Sequence, residues 1–363
     1  MSTKPYIPTV EDIRKASVVL DEILDMTPYR KNDHLSSLYD AEVYLKREDL
    51  QTVRSYKIRG AYNKIRSIAP EVLKYGIVCA SAGNHAQGVA FSCNKLQIMG
   101  SIYMPTTTPK QKIEQVRMFG KEYIDIVLTG DTFDAANAAA IEYANKSGKT
   151  FIPPFDDEKI IEGQGTIGYE LEKQADRMPD YIFVPIGGGG LASGVGSYIK
   201  QISPKTKVIG VEPAGAPCMK TAIENGGVIE LEHIDKFVDG AAVKKAGAKT
   251  YEICKEILDD IVIVPEGAVC TTIIQMYNKS AIVVEPAGAL AVAALKFYKD
   301  KLKGKKVACV VSGSNNDITR MEEIREKSLL YEGLKHYFIV NFPQKSGAVL
   351  SFIRDVIGPT DDL

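Results

Sequence analysis

The stretch YIFVPIGGGGLASG, residues 181–194, decides the fold of this sequence. It predicts a short apolar strand, a turn of consecutive glycines and the first turn of a helix. Glycines at such a turn allow backbone N–H groups to converge at the helix N-terminus, where the helix dipole also favours negative charge. The stretch therefore predicts a strand–turn–helix unit that binds a phosphate group through its backbone.

The same alternation of strand and helix extends through most of the chain. Apolar runs predict strands at 43–45, 76–80, 98–104, 123–128, 181–185, 207–212, 261–264 and 306–311. Longer stretches between them predict helices at 55–68, 84–95, 110–119, 132–146, 191–201, 268–279 and 287–299. This order is typical of a parallel sheet with crossover helices, and the continuous apolar strands indicate burial on both faces.

The composition excludes several classes of protein. The chain has 363 residues, 45% hydrophobic and 25% charged, which is the composition of a globular protein with two or three domains. Its 45 Lys and Arg against 46 Asp and Glu leave a formal charge of -1, so nucleic acid is not an expected partner. Because no apolar stretch approaches the about 20 residues that span a bilayer, and no secretory signal is recognisable, we expect a cytoplasmic protein without membrane contact.

The sequence changes in character after residue 328. From Lys335, KHYFIVNFPQKSGAVLSFIRDVIGPTDDL predicts one strand, a turn at 343–347 and one amphipathic helix. One strand and one helix cannot bury their own apolar faces. We therefore expect this tail to pack on another surface or to be the beginning of a further domain.

The glycine turn alone leaves the phosphate compound open. Gly187, Gly189 and Ala192 satisfy the dinucleotide pattern G-x-G-x-x-G/A, and Glu212 ends the next strand, where an acid that binds ribose is expected. A nicotinamide-dependent oxidoreductase is therefore one hypothesis. A P-loop is disfavoured, because no Lys-Ser or Lys-Thr pair follows the glycines.

Three further segments place chemically useful side chains beside helix starts and strand ends. SYKIRG (55–60) places Lys57 at the start of a helix, where its amine can be a nucleophile in an environment that favours the neutral form. ASAGNHAQGVA (80–90) offers N–H groups and polar side chains that suit a carboxylate, although the same residues also serve as ordinary helix caps. VVSGSNND (310–317) brings Ser312 to the carboxyl end of a strand, where open α/β sheets bind ligands.

Together these segments resemble a known family. SYKIRG, SAGNHAQGVA, EGQGT (162–166), GGGGLASG, VEPAGAL (284–290) and VSGSN are similar, in order and approximate spacing, to the motifs of the threonine dehydratases. These belong to the tryptophan-synthase-β-like group of pyridoxal-phosphate enzymes. The resemblance runs from about residue 10 to the end of the sequence.

The resemblance implies an α/β protein of pyridoxal-phosphate fold type II, with two domains built on open twisted parallel sheets and helices on both faces. Residues 1–49 and 151–328 would form the large catalytic domain, and residues 50–150 an inserted small domain. Residues 329–363 would form an incomplete ACT-like regulatory segment. The active site would lie between the two catalytic domains.

The resemblance also assigns roles to individual residues. Lys57 is implied as the lysine that forms the Schiff base with pyridoxal 5'-phosphate and removes the substrate Cα proton. Asn84 would contact the phenolic oxygen of the cofactor, Ser312 its pyridine nitrogen, and Glu285 would lie near the ring. The cofactor phosphate would be bound by the N–H groups of Gly187, Gly188, Gly189, Gly190 and Leu191. The substrate carboxylate would be bound by the loop of Ser81, Ala82, Gly83, Asn84 and His85.

The implied reaction converts L-threonine to 2-oxobutanoate and ammonia, with L-serine as a secondary substrate, as the first step of isoleucine biosynthesis. A homodimer or homotetramer is implied, with isoleucine as an effector of the full-length protein. We expect the effector pocket to be incomplete, because the tail contains only one strand and one helix of the module. A catalytically silent amino-acid sensor that uses this tail is a third hypothesis.

Two positions differ from the related serine racemases. Ala82 stands where those enzymes carry a serine that acts as an acid/base, so racemisation is disfavoured. Cys218 stands where they carry the second acid of a cation site beside Glu212. We therefore expect no essential metal.

Overall fold

The computed structural model describes residues 5–358, and residues 1–4 and 359–363, which the predicted first and last domains include, lie outside this range. The strands are β1 (Tyr29–Lys31), β2 (Glu42–Arg47), β3 (Ile77–Ala80), β4 (Gly100–Met104), β5 (Ile124–Leu128), β6 (Thr150–Phe151), β7 (Tyr181–Pro185), β8 (Lys207–Pro213), β9 (Asp260–Val264) and β10 (Lys306–Val311).

The helices of the first half are α1 (Val10–Leu20), α2 (Asp33–Tyr39), α3 (Lys57–Arg66), α4 (Pro70–Leu73), α5 (Asn84–Leu96), α6 (Lys110–Gly120), α7 (Phe133–Ser147) and α8 (Glu158–Gln174). Those of the second half are α9 (Gly190–Ile202), α10 (Cys218–Glu224), α11 (Ala248–Ile257), α12 (Glu266–Ser280), α13 (Pro286–Ala293), α14 (Leu295–Leu302), α15 (Met321–Tyr331) and α16 (Ala348–Asp355). Short 3-10 helices lie at Glu48–Leu50, Lys121–Tyr123 and Ile318–Arg320.

The strands form two separate sheets. The larger has the order β1-β2-β10-β7-β8-β9, in which only the edge strand β1 is antiparallel to its neighbour. The smaller has the order β5-β4-β3-β6 and is entirely parallel. These sheets and their crossover helices confirm the predicted α/β class.

Both faces of each sheet are covered, as the continuous apolar strands predict. In β10, Val307 and Val311 pack on the side of α12, α13 and α14, whereas Ala308 and Val310 pack on the opposite side with α9 and α11. This division follows from the alternation of side chains along a strand. The smaller sheet repeats the arrangement, with α5 on one face and α7 on the other.

Apart from the strand of the tail, the predicted strands and helices are present, with ends shifted by a few residues. The predicted helix at 287–299 is divided, because α13 ends at Ala293 and α14 begins at Leu295. Several elements were not predicted from the sequence pattern: β1, β6, α1, α2, α4, α8, α10, α11 and α15. Among them α8 is the longest helix of the described chain. Glycines lower the helix propensity of α8. They are needed there because a Cβ on Gly163 would lie 2.6 Å from the Arg59 carbonyl oxygen of α3.

The tail differs from its prediction in one element. The amphipathic helix forms as α16, but the strand expected from Lys335 was wrong, because residues 335–342 adopt no strand. Within residues 5–358 no strand pairs with this segment, and its apolar side chains are exposed, Phe338 by 82% and Ile339 by 95%. A strand needs a neighbour for its backbone hydrogen bonds, so apolar composition alone does not produce one.

Candidate active site

Most of the predicted site residues lie in or beside loops at the carboxyl ends of parallel strands, whereas Lys57 begins α3 and Glu285 precedes α13. Residues 81–83 connect β3 to α5, residues 186–189 connect β7 to α9, and residues 312–317 follow β10. A fourth loop, residues 152–157, connects β6 to α8. The first and fourth of these loops belong to the smaller sheet and the other two to the larger, and the carboxyl end of such sheets is where open α/β folds bind ligands.

In the glycine turn, two carbonyl groups accept hydrogen bonds from neighbouring side chains, whereas the backbone N–H groups remain free among the described residues. The Gly187 carbonyl accepts a hydrogen bond from Cys218 Sγ at 3.3 Å, and the Gly188 carbonyl accepts one from Thr250 Oγ1 at 2.6 Å. In contrast, the N–H groups of residues 187–191 have no acceptor anywhere in residues 5–358. Free N–H groups at the start of α9 are the donors that a phosphate requires.

Two of these positions need glycine for steric reasons. Gly189 has a φ of 98°, which side chains rarely adopt, and a Cβ there would lie 2.6 Å from Met219 Cε. A Cβ on Gly188 would lie 2.4 Å from carbon atoms of the Phe155 ring. The consecutive glycines therefore reflect close packing as well as ligand access.

Lys57 is the first residue of α3, and its side chain is half-buried. Its Nζ donates a hydrogen bond to the Pro154 carbonyl at 2.8 Å. Burial lowers the pKa of Lys57 to about 8, and the Glu285 carboxylate partly opposes this effect. A lysine in this state carries far more neutral, nucleophilic amine near neutral pH than an exposed lysine does.

Asn84 and Glu285 are joined by a hydrogen bond. Asn84 Nδ2 donates to Glu285 Oε1 at 2.6 Å, and Asn315 Nδ2 donates to Asn84 Oδ1 at 2.8 Å. Burial raises the pKa of Glu285 to about 7. The Asn315 Oδ1 atom is buried and has no partner among the described residues, so an acceptor remains available beside this pair.

Ser312 and the loop at 81–85 complete the predicted set. Ser312 is buried and its Oγ donates to the Ala287 carbonyl at 3.1 Å. Ser81 Oγ accepts from Gly83 N at 3.2 Å, and a Cβ on Gly83 would meet open space. The His85 ring lies 3.0 Å from the Ile152 carbonyl through Nε2, and burial lowers its pKa to about 3. His85 is therefore neutral and its ring is engaged, so the loop offers an anion its backbone N–H groups.

The carboxylate of Glu212, the candidate ribose-binding acid, is engaged by the start of α10. Its buried carboxylate accepts hydrogen bonds from Met219 N at 2.7 Å and Lys220 N at 2.9 Å. Burial raises the pKa of Glu212 to about 7. Within residues 5–358, no group of three or more His, Cys, Asp or Glu side chains is placed to bind a metal ion. The expectation that no metal is required stays a prediction.

The loop IPPFDD, residues 152–157, was not predicted as part of the site, although it contacts Lys57, His85 and the glycine turn. Its Ile152 and Pro154 carbonyls are the partners of His85 and Lys57. Phe155 packs against the glycine turn. The only local signal was a pair of aspartates before a helix, which predicts a helix cap and not a site.

Comparisons with known proteins identify the class. The family of pyridoxal-phosphate dependent enzymes matches residues 21–313, and the chain belongs to this family. Its relatives include the L-threonine dehydratase biosynthetic IlvA of Halalkalibacterium halodurans, which is 62% identical over 98% of this chain and 85% of that protein. The corresponding protein of Bacillus subtilis is 55% identical over 98% of this chain and 84% of that protein. The chain is thus a member of the biosynthetic threonine dehydratases.

Solved structures agree with this placement. The processed form of threonine deaminase isoform 2 from Solanum lycopersicum superposes with a TM-score of 0.83 at 38% identity, over 90% of this chain and 96% of that chain. Maize serine racemase gives a TM-score of 0.82 at 28% identity, over 90% of this chain and 100% of that chain. The family resemblance and the fold type are confirmed, and the nicotinamide hypothesis loses its basis.

The residues of the site fit pyridoxal 5'-phosphate, the cofactor of this family. The free N–H groups at the start of α9 suit its phosphate, and the low-pKa amine of Lys57 suits its aldehyde. The neutral hydroxyl of Ser312 suits a pyridine nitrogen. None of the helices in the described range is long and apolar enough to cross a membrane.

Proposed function

We propose that this chain is a pyridoxal-phosphate-dependent threonine ammonia-lyase that converts L-threonine to 2-oxobutanoate and ammonia, and L-serine to pyruvate as a secondary reaction. One observation carries the proposal. Lys57, with its lowered pKa, is bonded to the Pro154 carbonyl, and the next residue, Phe155, packs against a glycine turn with free N–H groups. The candidate amine and the candidate phosphate site thus contact consecutive residues of one loop, as suits a cofactor that carries both an aldehyde and a phosphate.

The proposed roles of the cofactor-binding residues follow their surroundings. Lys57 Nζ would hold the aldehyde carbon covalently, and the N–H groups of residues 187–191 would hold the phosphate. Asn84 would contact the phenolic oxygen, with its amide oriented by Asn315 and Glu285. Ser312 would contact the pyridine nitrogen.

The proposed chemistry is an elimination of water from the substrate. When bound, the cofactor supplies an electron sink for the substrate Cα. Lys57 Nζ removes the Cα proton, for which its lowered pKa is suitable near neutral pH. The β-hydroxyl leaves as water, and hydrolysis of the released enamine yields the oxo acid and ammonia. The backbone N–H groups of residues 81–85 orient the substrate carboxylate.

Ala82 and Ser312 favour elimination over competing reactions. Ala82 provides no acid/base on the opposite face of Cα, so racemisation has no proton donor at this position. A neutral Ser312 hydroxyl does not stabilise a protonated ring nitrogen as a carboxylate would. The weaker electron sink favours prompt loss of the β-substituent.

The proposal extends to organisation and regulation. Residues 1–49 and 151–328 would form the large catalytic domain and residues 50–150 the small one, a division supported by the origin of the smaller sheet between residues 77 and 151. Residues 329–363 would belong to an incomplete regulatory segment, with isoleucine as an effector of the full-length protein. A cytoplasmic homodimer or homotetramer that serves isoleucine biosynthesis is the corresponding whole enzyme.

Borohydride labelling tests the proposed function. The purified protein is expected to be yellow, to lose its visible absorption on reduction with borohydride, and to yield a pyridoxyl-modified peptide that contains Lys57. The same protein should release 2-oxobutanoate from L-threonine and retain activity after exhaustive chelation of divalent metals. A colourless protein that binds NAD, or one that binds threonine without turnover, would refute the proposal.

A further inference from the structure

Three consecutive residues, 154–156, connect the reactive lysine to the glycine turn. The Pro154 carbonyl accepts the hydrogen bond of Lys57 Nζ at 2.8 Å. The Phe155 ring lies against Gly188, where an added Cβ would come within 2.4 Å of it. The third residue, Asp156, binds the first turn of α11.

Asp156 caps α11 from a distant part of the chain. Its carboxylate accepts hydrogen bonds from Ala248 N at 2.9 Å, Lys249 N at 2.9 Å and Thr250 N at 3.1 Å. The residue that precedes the helix, Gly247, has no side chain to provide a cap. A carboxylate at the positive end of a helix satisfies N–H groups that otherwise lack a partner, so Asp156 fixes the position of the first turn of α11.

That first turn determines the orientation of one peptide of the glycine turn. Thr250 is fully buried, and its Oγ1 donates to the Gly188 carbonyl at 2.6 Å. Gly247 N donates to the same carbonyl at 3.2 Å. Two donors from α11 and its cap therefore bind a single carbonyl that belongs to a flexible glycine.

The geometry of the peptide bond transmits this constraint. In a planar trans peptide the C=O and the following N–H point in opposite directions. Because the Gly188 carbonyl is directed toward α11, the Gly189 N–H is directed away from it, among the N–H groups that have no acceptor in the described chain. Gly189 has a φ of 98° and, as a glycine, could adopt other orientations without this bond.

We propose that Thr250 and Asp156 are positioning residues for the cofactor phosphate, and that they act through the Gly188 carbonyl. This inference rests on the proposed pyridoxal-phosphate function and deepens it. Asp156 positions α11, Thr250 positions the peptide, and the peptide presents its N–H to the phosphate. Because the same three-residue segment binds Lys57, the position of the phosphate site is linked to the position of the amine.

Titration of the resolved protein with two probes tests the proposal. The full chain is freed of cofactor with cysteine and dialysis, and then titrated with pyridoxal 5'-phosphate or with pyridoxal, which has the aldehyde but no phosphate. We expect Thr250→Val to raise the dissociation constant of pyridoxal 5'-phosphate about tenfold, the factor that matches one weakened hydrogen bond to a charged group. The dissociation constant of pyridoxal should change less than twofold.

Matched variants separate positioning from general stability. Thr250→Ser keeps the hydroxyl and should bind both probes as the wild type does. Asp156→Asn, which weakens the cap of α11, should repeat the phosphate-selective loss and provides a second test if Thr250→Val does not fold. Asp157→Asn makes the same change at the next residue, whose carboxylate caps α8 through Lys159 N and Ile160 N, and should leave the ratio of the two constants unchanged.

The outcomes distinguish this inference from the proposed function. Equal losses for both probes, or no loss for either, in Thr250→Val and Asp156→Asn would overturn the positioning role and leave the pyridoxal-phosphate function intact. If the wild-type protein binds neither probe covalently at Lys57, the proposed function fails first and the inference fails with it. A phosphorus NMR shift of the bound phosphate that moves in Thr250→Val and not in Thr250→Ser would support the inference independently of catalysis.

Discussion

The burial of Lys57 is expected to destabilise the cofactor-free protein in a way that depends on pH. The pKa of this lysine falls from 10.5 to about 8 on folding, because burial disfavours the ammonium form. Between these two values the unfolded chain binds more protons than the folded one, so stability rises with pH in that window. Below about pH 8 the full penalty applies.

The magnitude follows from the size of the pKa change. A fall from 10.5 to about 8 corresponds to about 3 kcal/mol of unfolding free energy. The substitution Lys57→Met removes the charge and keeps most of the side-chain volume, but it also removes the hydrogen bond to the Pro154 carbonyl, which contributes about 1 kcal/mol. We therefore expect the variant to be more stable than the wild type by about 2 kcal/mol at pH 7. This advantage should disappear as the pH approaches 10.5.

Urea unfolding of the two cofactor-free proteins, followed by circular dichroism from pH 7 to pH 10.5, measures this difference. The exposed Lys279 provides a matched control, since Lys279→Met removes a lysine from the surface of α12, where folding changes its surroundings little. Parallel stability profiles for Lys57→Met and the wild type across this range would refute the reasoning, because they would mean that folding does not change the proton affinity of Lys57.

Three further substitutions test other parts of the structure. Gly188→Ala places a Cβ 2.4 Å from the Phe155 ring. We expect it to lower the amount of cofactor bound per chain, measured by visible absorbance, without a change in secondary structure. A normal cofactor content would contradict the close packing of Phe155 on Gly188. Arg59→Met breaks a buried ion pair in which two nitrogen atoms of Arg59 each lie 2.8 Å from an oxygen of Glu48. We expect urea unfolding to show an unfolding free energy lower by about 3–5 kcal/mol. A loss below about 1 kcal/mol would show that the ion pair is dispensable. Ser312→Asp should depress dehydration of threonine and increase side reactions, so unchanged product partitioning by chromatography would count against the role of a neutral group at this position.

Much of the fold could be predicted because its units are local. The strand β7, the glycine turn and the start of α9 are contiguous, and their apolar pattern and glycines are sufficient to define them. The long helix α8 could not be predicted in this way. Its glycines reduce local propensity, and their purpose is visible only where α3 and α9 approach, as with Gly165, whose added Cβ would lie 3.0 Å from the Gly194 carbonyl oxygen.

The segment from Lys335 was predicted to be a strand but does not form one, whereas α8 forms although it was not predicted. The segment's apolar and aromatic residues have high strand propensity, yet residues 335–342 form no strand, since none of the described strands lies beside them. Strand propensity reflects packing and pairing more than a preference of the backbone. A sequence can therefore indicate that a segment suits a sheet without providing the sheet.

The sequence by itself determined the class of the protein and predicted the residues that we propose for its site. Lys57, the glycines of the turn and Ser312 lie in short motifs whose order and spacing are specific, because each motif supplies its own strand end or helix start. The tertiary structure alone decided how these motifs are held relative to one another. Asp156 and the Ala248 N–H that it binds are 92 residues apart in the sequence, and Thr250 and Gly188 are 62 residues apart. No local sequence pattern predicts a contact at such separations. Contacts of that kind depend on how the sheets and helices pack in space, so they become visible only when the chain is folded.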